Sequence, residues 1–110
     1  MRFHRPERVS DLIIEELGKL LLKEMETPPG SLLTITDVEV VKDLSRAVVK
    51  VSVYPSDKAE EILKILVARQ GHFQFLLGRK LNIRPMPRIV FKLDLGPEKA
   101  AAVEKSLMGK

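Results

Sequence analysis

The sequence contains no cysteine, and only five of its 110 residues are aromatic. The absence of cysteine excludes disulfides, thiolate metal sites and cysteine nucleophiles, and it fits a reducing cytoplasm. No apolar run approaches the roughly 20 residues that a membrane-spanning helix needs. The first eight residues lack the apolar core of a signal peptide. We therefore expect a cytoplasmic protein with no membrane partner.

Catalytic and cofactor motifs are also missing. The sequence has no phosphate-binding or dinucleotide-binding glycine motif, and no serine lies in a Gly-x-Ser-x-Gly pattern. It has two histidines, His4 and His72, without clustered carboxylates beside them, so we expect no metal site. We predict no enzyme activity, no catalytic residue, no cofactor and no small-molecule substrate.

The stretch 62–93 lacks Asp and Glu altogether, and the nearest carboxylates lie just outside it. A segment that folds while carrying only positive charge repels itself, which a partner made of phosphates would offset. We interpret this stretch as the nucleic-acid-facing half of the protein, and we expect its cations to share one surface. The stretch contains Lys64, Arg69, Arg79, Lys80, Arg84, Arg88 and Lys92, with His72 among them.

The whole chain has a moderate basic bias, with a formal net charge of +4, and its residues are 45% hydrophobic and 31% charged. This balance is typical of a folded protein, and the length predicts one domain over 1–110. Residues 1–8 form a basic arm that includes Arg5 and Arg8. The arm is either frayed or in contact with phosphate.

Apolar periodicity predicts a helix at 6–25, followed by strands at 32–41 and 46–54 that are joined by a hairpin turn at 42–45. We interpret Gly18 as a point where the helix packs closely against a sheet. The first strand changes phase near Asp37. Either a bulge there restores a single apolar face, or part of the strand is buried on both sides.

A second helix is predicted to begin with Ser56 or Asp57 as its N-cap. Two apolar stripes fail to join in one phase, which indicates two helices that meet at a break around 69–72. We expect Gly71 to permit this break because glycine adopts backbone angles that other residues resist. We interpret Gly78 as a packing contact within the second of these helices. A strand at 88–94 and a weak tail helix within 97–110 complete the chain.

The predicted order is α-β-β-α-α-β with a short C-terminal helix. Three strands with helices gathered on one face make an α+β two-layer sandwich with a three-stranded sheet. This is the order of bacterial-type (type II) KH domains.

Individual segments carry a closer resemblance. It is densest in Gly71-His72-Phe73, in Leu-Leu-Gly-Arg-Lys-Leu at 76–81 and in Ile-Arg-Pro-Met-Pro-Arg-Ile-Val-Phe at 83–91. It also covers 8–9, 33–40, 42–47 and 49–53. In their order and spacing these segments resemble ribosome-binding factor A, a family of bacterial small-subunit maturation factors.

The resemblance implies a KH-like, non-enzymatic protein that binds the 30S ribosomal subunit and 16S rRNA and assists late maturation of the 16S rRNA precursor. We expect it to act as a monomer. Ordinary KH domains hold single strands with a Gly-x-x-Gly loop, which is absent here. The family replaces that loop with a helix kink, usually Ala-x-Gly. The aligned triplet here is Arg69-Gln70-Gly71, with Ala68 one position earlier.

The candidate RNA-binding residues follow from the basic stretch, the kink and the arm. Cations at a helix C-terminus also interact favourably with the helix dipole, and this would explain some of these residues without RNA contact. Phe75 lies off the main apolar stripe and either stacks on a base or belongs to a second packing face. The alternatives to ribosome binding are a basic protein-interaction module and a general KH-type RNA-binding protein. The candidate set is Arg69, Gln70, Gly71, His72, Arg79, Lys80, Arg84, Arg88, Arg5 and Arg8.

Overall fold

A computed structural model of the protein describes residues 5–94. The first helix, α1, spans Pro6–Glu24, close to the predicted bounds. Pro6 lies in its first turn, where the missing N–H would have had no helical partner. The helix ends before Met25, which adopts extended backbone angles ahead of Pro28 and Pro29. One residue per turn is buried, and this stripe comprises Val9, Ile13, Leu17 and Leu21.

Three strands form one mixed sheet in the order β1-β2-β3. They are β1 (Leu32–Val40), β2 (Arg46–Tyr54) and β3 (Arg88–Leu93). β1 and β2 are antiparallel, whereas β2 and β3 are parallel. The predicted hairpin turn joins β1 to β2. In it the Ser45 side chain lowers the pKa of Asp43 most, and the Ser45 N–H, which donates to the Asp43 carboxylate at 3.0 Å, lowers it further.

The predicted bulge in β1 is confirmed. The pairing with β2 shifts by one residue between Ile35 and Asp37, so Thr36 is the extra residue. Because of this shift, Leu33 and Ile35 share the helix-facing side of the sheet with Val38. Residues that alternate with them are exposed, so the alternative of a strand buried on both sides is wrong.

Two helices, α2 (Ala59–Ala68) and α3 (Gln70–Leu81), meet at Arg69. The break therefore lies within the predicted range, but Gly71 does not cause it. Gly71 is helical, and the turning residue Arg69 has φ −100° and ψ 12°, angles open to any L-residue. The predicted N-cap is also wrong: a 3₁₀ turn over Ser56–Lys58 precedes α2, and Lys58 is its N-cap residue.

Asn82 closes α3 in the left-handed conformation, with φ 52° and its N–H bonded to the Gly78 carbonyl at 3.1 Å. The connector to β3 then folds back along the helix. Met86 lies beside Gly78, where a Cβ would be 3.9 Å from its Cγ. This confirms Gly78 as a packing contact and keeps Arg84 near the C-terminal end of α3.

All three helices lie on one side of the sheet. α1 packs on β1, α2 packs on β2 and β3, and α3 contacts both α1 and β3. The core between the layers includes Leu17, Val49 and Phe73, all fully buried. The predicted α+β, KH-like arrangement is confirmed. Gly18 is not the close sheet contact we expected, because a Cβ there would meet nothing within 4 Å. The predicted tail helix lies outside the described residues.

Candidate nucleic-acid interface

The helices α1 and α3 pack antiparallel, and every fourth residue of α3 meets α1. The His72 ring nitrogen Nε2 lies 3.2 Å from Glu24 Oε1, and Lys80 Nζ lies 3.7 Å from Glu16 Oε1. Between these pairs, Leu76 and Leu20 line one shallow depression. Position 80 is thus level with 16, and position 72 is level with 24.

Because Leu81, the last residue of α3, is level with residue 15, the first turns of α1 extend beyond the end of α3. Arg8 lies eight residues before Glu16, or about 12 Å along the helix axis. Arg5 is the N-cap residue of α1 and Arg8 is in its first turns, so both belong to the helix rather than to an arm. Glu7 and Asp11 lie at the same end and lower its net charge. We call this region the cationic end, and its basic residues are Arg5, Arg8, Arg79, Lys80 and Arg84.

Arg79 and Arg84 are two exposed cations of this end. Among residues 5–94, no carboxylate forms an ion pair with either. Lys80 is partly engaged, because it forms an ion pair with Glu16, whose side chain is only 17% exposed. Lys19 contacts the same carboxylate at 3.5 Å. The seam between the helices therefore restrains Lys80 and leaves the two arginines free to meet an anion.

Arg69 turns inward, away from a free surface. Its guanidinium donates to the Glu24 carbonyl at 2.9 Å and to the Glu24 carboxylate at 3.2 Å, and it lies 5.0 Å from the centre of the Phe73 ring. The hydrogen bond with His72 lowers the pKa of Glu24 most, against partial burial, and Arg69 lowers it further. Arg69 and His72 thus fasten the helix break to the end of α1.

Gln70 is likewise occupied within the fold. Its amide donates to the Ile89 carbonyl at 3.0 Å, while the Ile89 N–H donates to the Gln74 side chain at 2.7 Å. Gln74 also donates to the Pro87 carbonyl at 2.8 Å. Since β3 is an edge strand, these two glutamines take the place of a fourth strand at Ile89.

The expectation of one shared cationic surface is wrong. Arg88 and Lys92 alternate along β3 with Ile89 and Phe91, which are buried beneath the helices. Their side chains therefore lie on the open face of the sheet, opposite the helix layer. Arg88 there neighbours Arg46 of β2. Strand alternation has divided the basic stretch between two sides of the protein.

Phe75 lies on the outward side of α3, away from the core. A second packing face does not cover it: the side chain is 60% exposed, and its ring contact within residues 5–94 is the Arg79 guanidinium, 5.7 Å from the ring centre. Its position off the apolar stripe was the available signal. Gly71 lies one turn earlier on the same outward side of α3, with open space around it.

The described part of the chain has neither a metal-binding cluster nor a membrane-spanning helix. Among residues 5–94, no group of three or more His, Asp or Glu side chains could hold a metal ion. In the same range, no helix is both long and apolar enough to span a membrane.

Comparison with known proteins identifies the family. The profile of ribosome-binding factor A matches residues 5–107. Ribosome-binding factor A of Desulforamulus reducens is 40% identical over 92 residues, which cover 83% of this chain and 77% of that protein. The crystal structure of ribosome-binding factor A from Thermus thermophilus is similar with a TM-score of 0.57 at 25% identity, covering 80% of this chain and 90% of that one.

A second similar structure is a homology model of the Thermus thermophilus factor, fitted into a cryo-electron microscopy map of a complex of 30S and ribosome-binding factor A. Its TM-score is 0.56 at 27% identity, covering 74% of this chain and 90% of that one. The matches in sequence and in fold cover most of the described residues. This chain therefore belongs to the ribosome-binding factor A family.

Proposed function

We propose that this protein binds the 30S ribosomal subunit through 16S rRNA and assists late maturation of the 16S rRNA precursor without catalysing a reaction. Membership of the ribosome-binding factor A family is the observation that carries this proposal. The similar Thermus thermophilus factor, fitted into the map of a complex with 30S, supports the same partner.

The cationic end is the contact surface we propose. Phosphates dominate the affinity of proteins for nucleic acid, and Arg79 and Arg84 are exposed cations that no described carboxylate neutralises. Arg5, Arg8 and Lys80 lie at the same end and add to the field. Arg69, Gln70 and His72 contribute indirectly, because they hold α3 in place against α1 and β3.

The open face of the sheet is the second candidate surface. It presents Arg46, Arg88 and Lys92, but Glu39 forms an ion pair with Lys50 at 3.5 Å, and Asp37 lies opposite Lys50 on the neighbouring strand. Carboxylates along β1 therefore lower the net positive charge of this side. We assign Arg88 to this secondary surface rather than to the main contact.

The proposal is tested by cosedimentation of the protein with purified 30S subunits over a series of salt concentrations. Several phosphate contacts lower the affinity on the order of 10³-fold between about 50 and 200 mM salt. Nuclease treatment of the particles should release the protein. Affinity that is flat over this salt range, or binding that survives removal of the rRNA, would contradict the proposal and favour a protein partner.

A further inference from the structure

The outward side of α3 carries an aromatic ring that the protein itself leaves uncovered. Phe75 is 60% exposed on a helix whose neighbouring stripes are all used: Phe73 and Leu77 enter the core, and Gln74 holds the sheet edge. A phenylalanine exposed to this extent leaves apolar surface in water that packing would otherwise remove. The ring is therefore available to a partner.

The surroundings of the ring favour a flat ligand. Helical side chains lean towards the helix N-terminus, so Phe75 extends over the turn that contains Gly71. Gly71 has no side chain, and a Cβ built there would meet nothing within 4 Å. Arg79 leans back in the same way and lies 5.7 Å from the ring centre. The ring therefore has a cation over it and open space beside it at Gly71.

The charge around the ring favours an anionic ligand. α3 contains Arg79 and Lys80 but no Asp or Glu. The nearest carboxylates across the seam are already engaged, Glu16 by Lys19 and Lys80, and Glu24 by Arg69 and His72. A ligand that combines a planar ring with negative charge matches both features, and an unpaired nucleotide of RNA has both.

We propose that Phe75, flanked by Gly71 and Arg79, stacks on an unpaired base of bound RNA. This inference rests on the proposed RNA-binding function and deepens it, since it assigns part of the contact to a single-stranded nucleotide rather than to the backbone of a duplex. Base stacking on one aromatic ring strengthens binding by roughly 5- to 100-fold. Phosphate contacts alone would leave affinity independent of Phe75.

The test uses a 12-nucleotide oligoadenylate RNA and an RNA duplex of equal length, with affinities measured by fluorescence anisotropy at low salt. Phe75→Ala and Phe75→Leu should weaken binding of the single strand roughly 5- to 100-fold and leave duplex binding nearly unchanged. Leucine is the matched control for apolar size, because it lacks an aromatic face. The exposure of Phe75 predicts unchanged thermal stability for both variants.

A second readout detects stacking directly. The protein has no tryptophan, so Phe75→Trp introduces a single reporter. Its emission should be quenched by the oligoadenylate while affinity is retained. Tyr54→Trp is the matched control, since Tyr54 is 71% exposed on the open sheet face, and its emission should change little.

The outcomes separate the two proposals. If Phe75→Ala binds the oligoadenylate as tightly as the native protein, stacking is wrong, while salt-dependent cosedimentation with 30S would leave the proposed function standing. Failure of the native protein to bind the oligoadenylate would also overturn stacking. Equal quenching of Phe75→Trp by polyglutamate would assign the ring to an acidic protein. If the native protein binds neither 30S subunits nor RNA, the proposed function is wrong as well.

Discussion

Arg69 illustrates how a residue's surroundings change the role that sequence suggests for it. By sequence it is a cation at the helix break and a candidate RNA contact. In the fold its guanidinium bonds the last residue of α1 and covers the Phe73 ring, with the side chain 34% exposed. We expect it to act on stability rather than directly on RNA affinity.

Arg69→Ala should therefore lower the thermal stability, whereas Arg84→Ala should change the salt dependence of RNA binding. Loss of the Arg69 hydrogen bonds should lower the Tm by about 5 °C, with the salt dependence of RNA binding unchanged in the folded protein. Arg84→Ala should leave the Tm nearly unchanged and make the salt dependence shallower. Calorimetry and RNA titrations measure the two properties. Reversed effects would mean that Arg69 is the free contact.

The contacts of Glu24 with His72 and Arg69 should make the stability of the protein depend on pH. These hydrogen bonds lower the pKa of Glu24 in the folded protein below the ordinary value of 4.5. A carboxylate with a lowered folded pKa stabilises the protein fully above its unfolded pKa, and this contribution is lost as pH falls through the folded pKa. The native protein should thus exceed Glu24→Gln in Tm at neutral pH, and the difference should shrink below about pH 4.5.

Thermal unfolding of both proteins from neutral pH to about pH 3 measures this difference. The other carboxylates are common to both proteins and cancel in the comparison. A difference that stays constant across the whole range would show that Glu24 acts only through packing.

At the scale of elements, the bulge in β1 decides which side chains reach the core. Deletion of Thr36 would restore strict alternation with Leu33, Ile35 and Val38 still facing the helices. The deletion removes the hydrogen bonds of the Thr36 hydroxyl, including one of 2.7 Å to the Asp94 carboxylate. We expect the variant to fold with a loss of about 1 kcal/mol.

Deletion of Lys50 from β2 is the contrasting variant, because β2 alternates without a bulge of its own. It would turn Val49 away from the core and Arg46 towards it. Each apolar side chain that leaves the core costs about 1.5–3 kcal/mol, so we expect a total loss of roughly several kcal/mol. Urea unfolding measures both free energies. Equal destabilisation would contradict the assignment of Thr36 as the extra residue.

The order of the elements could be predicted because apolar periodicity reflects burial directly. The stripe of α1 and the alternation of β2 are buried as their sequences indicate. The residue that breaks the α2–α3 helix could not be deduced from the presence of glycine. Arg69 turns the chain with angles open to any residue. Asn82 ends α3 in the left-handed conformation, which asparagine favours at a helix C-terminus.

At the scale of the whole molecule, an uninterrupted basic stretch does not make an uninterrupted basic surface. A strand divides its residues between two faces, so Arg88 and Lys92 leave the helix layer. Arg5 and Arg8 lie at the same end of the molecule as Arg79 because α1 and α3 pack antiparallel. That pairing arises from tertiary contacts, and no local pattern in the sequence reports it.

We propose that the cationic end, rather than the open sheet face, contacts the 30S subunit. Two double variants with the same change in charge test it: Arg79→Gln with Arg84→Gln, and Arg46→Gln with Lys92→Gln. All four native side chains are exposed. The measurement is equilibrium cosedimentation with 30S subunits over a salt series.

The first pair should weaken binding about tenfold or more at low salt and reduce the slope of log K against log salt concentration by about 1 to 2. The second pair should leave both quantities close to those of the native protein. Equal losses from the two pairs, or a larger loss from the sheet-face pair, would contradict the account.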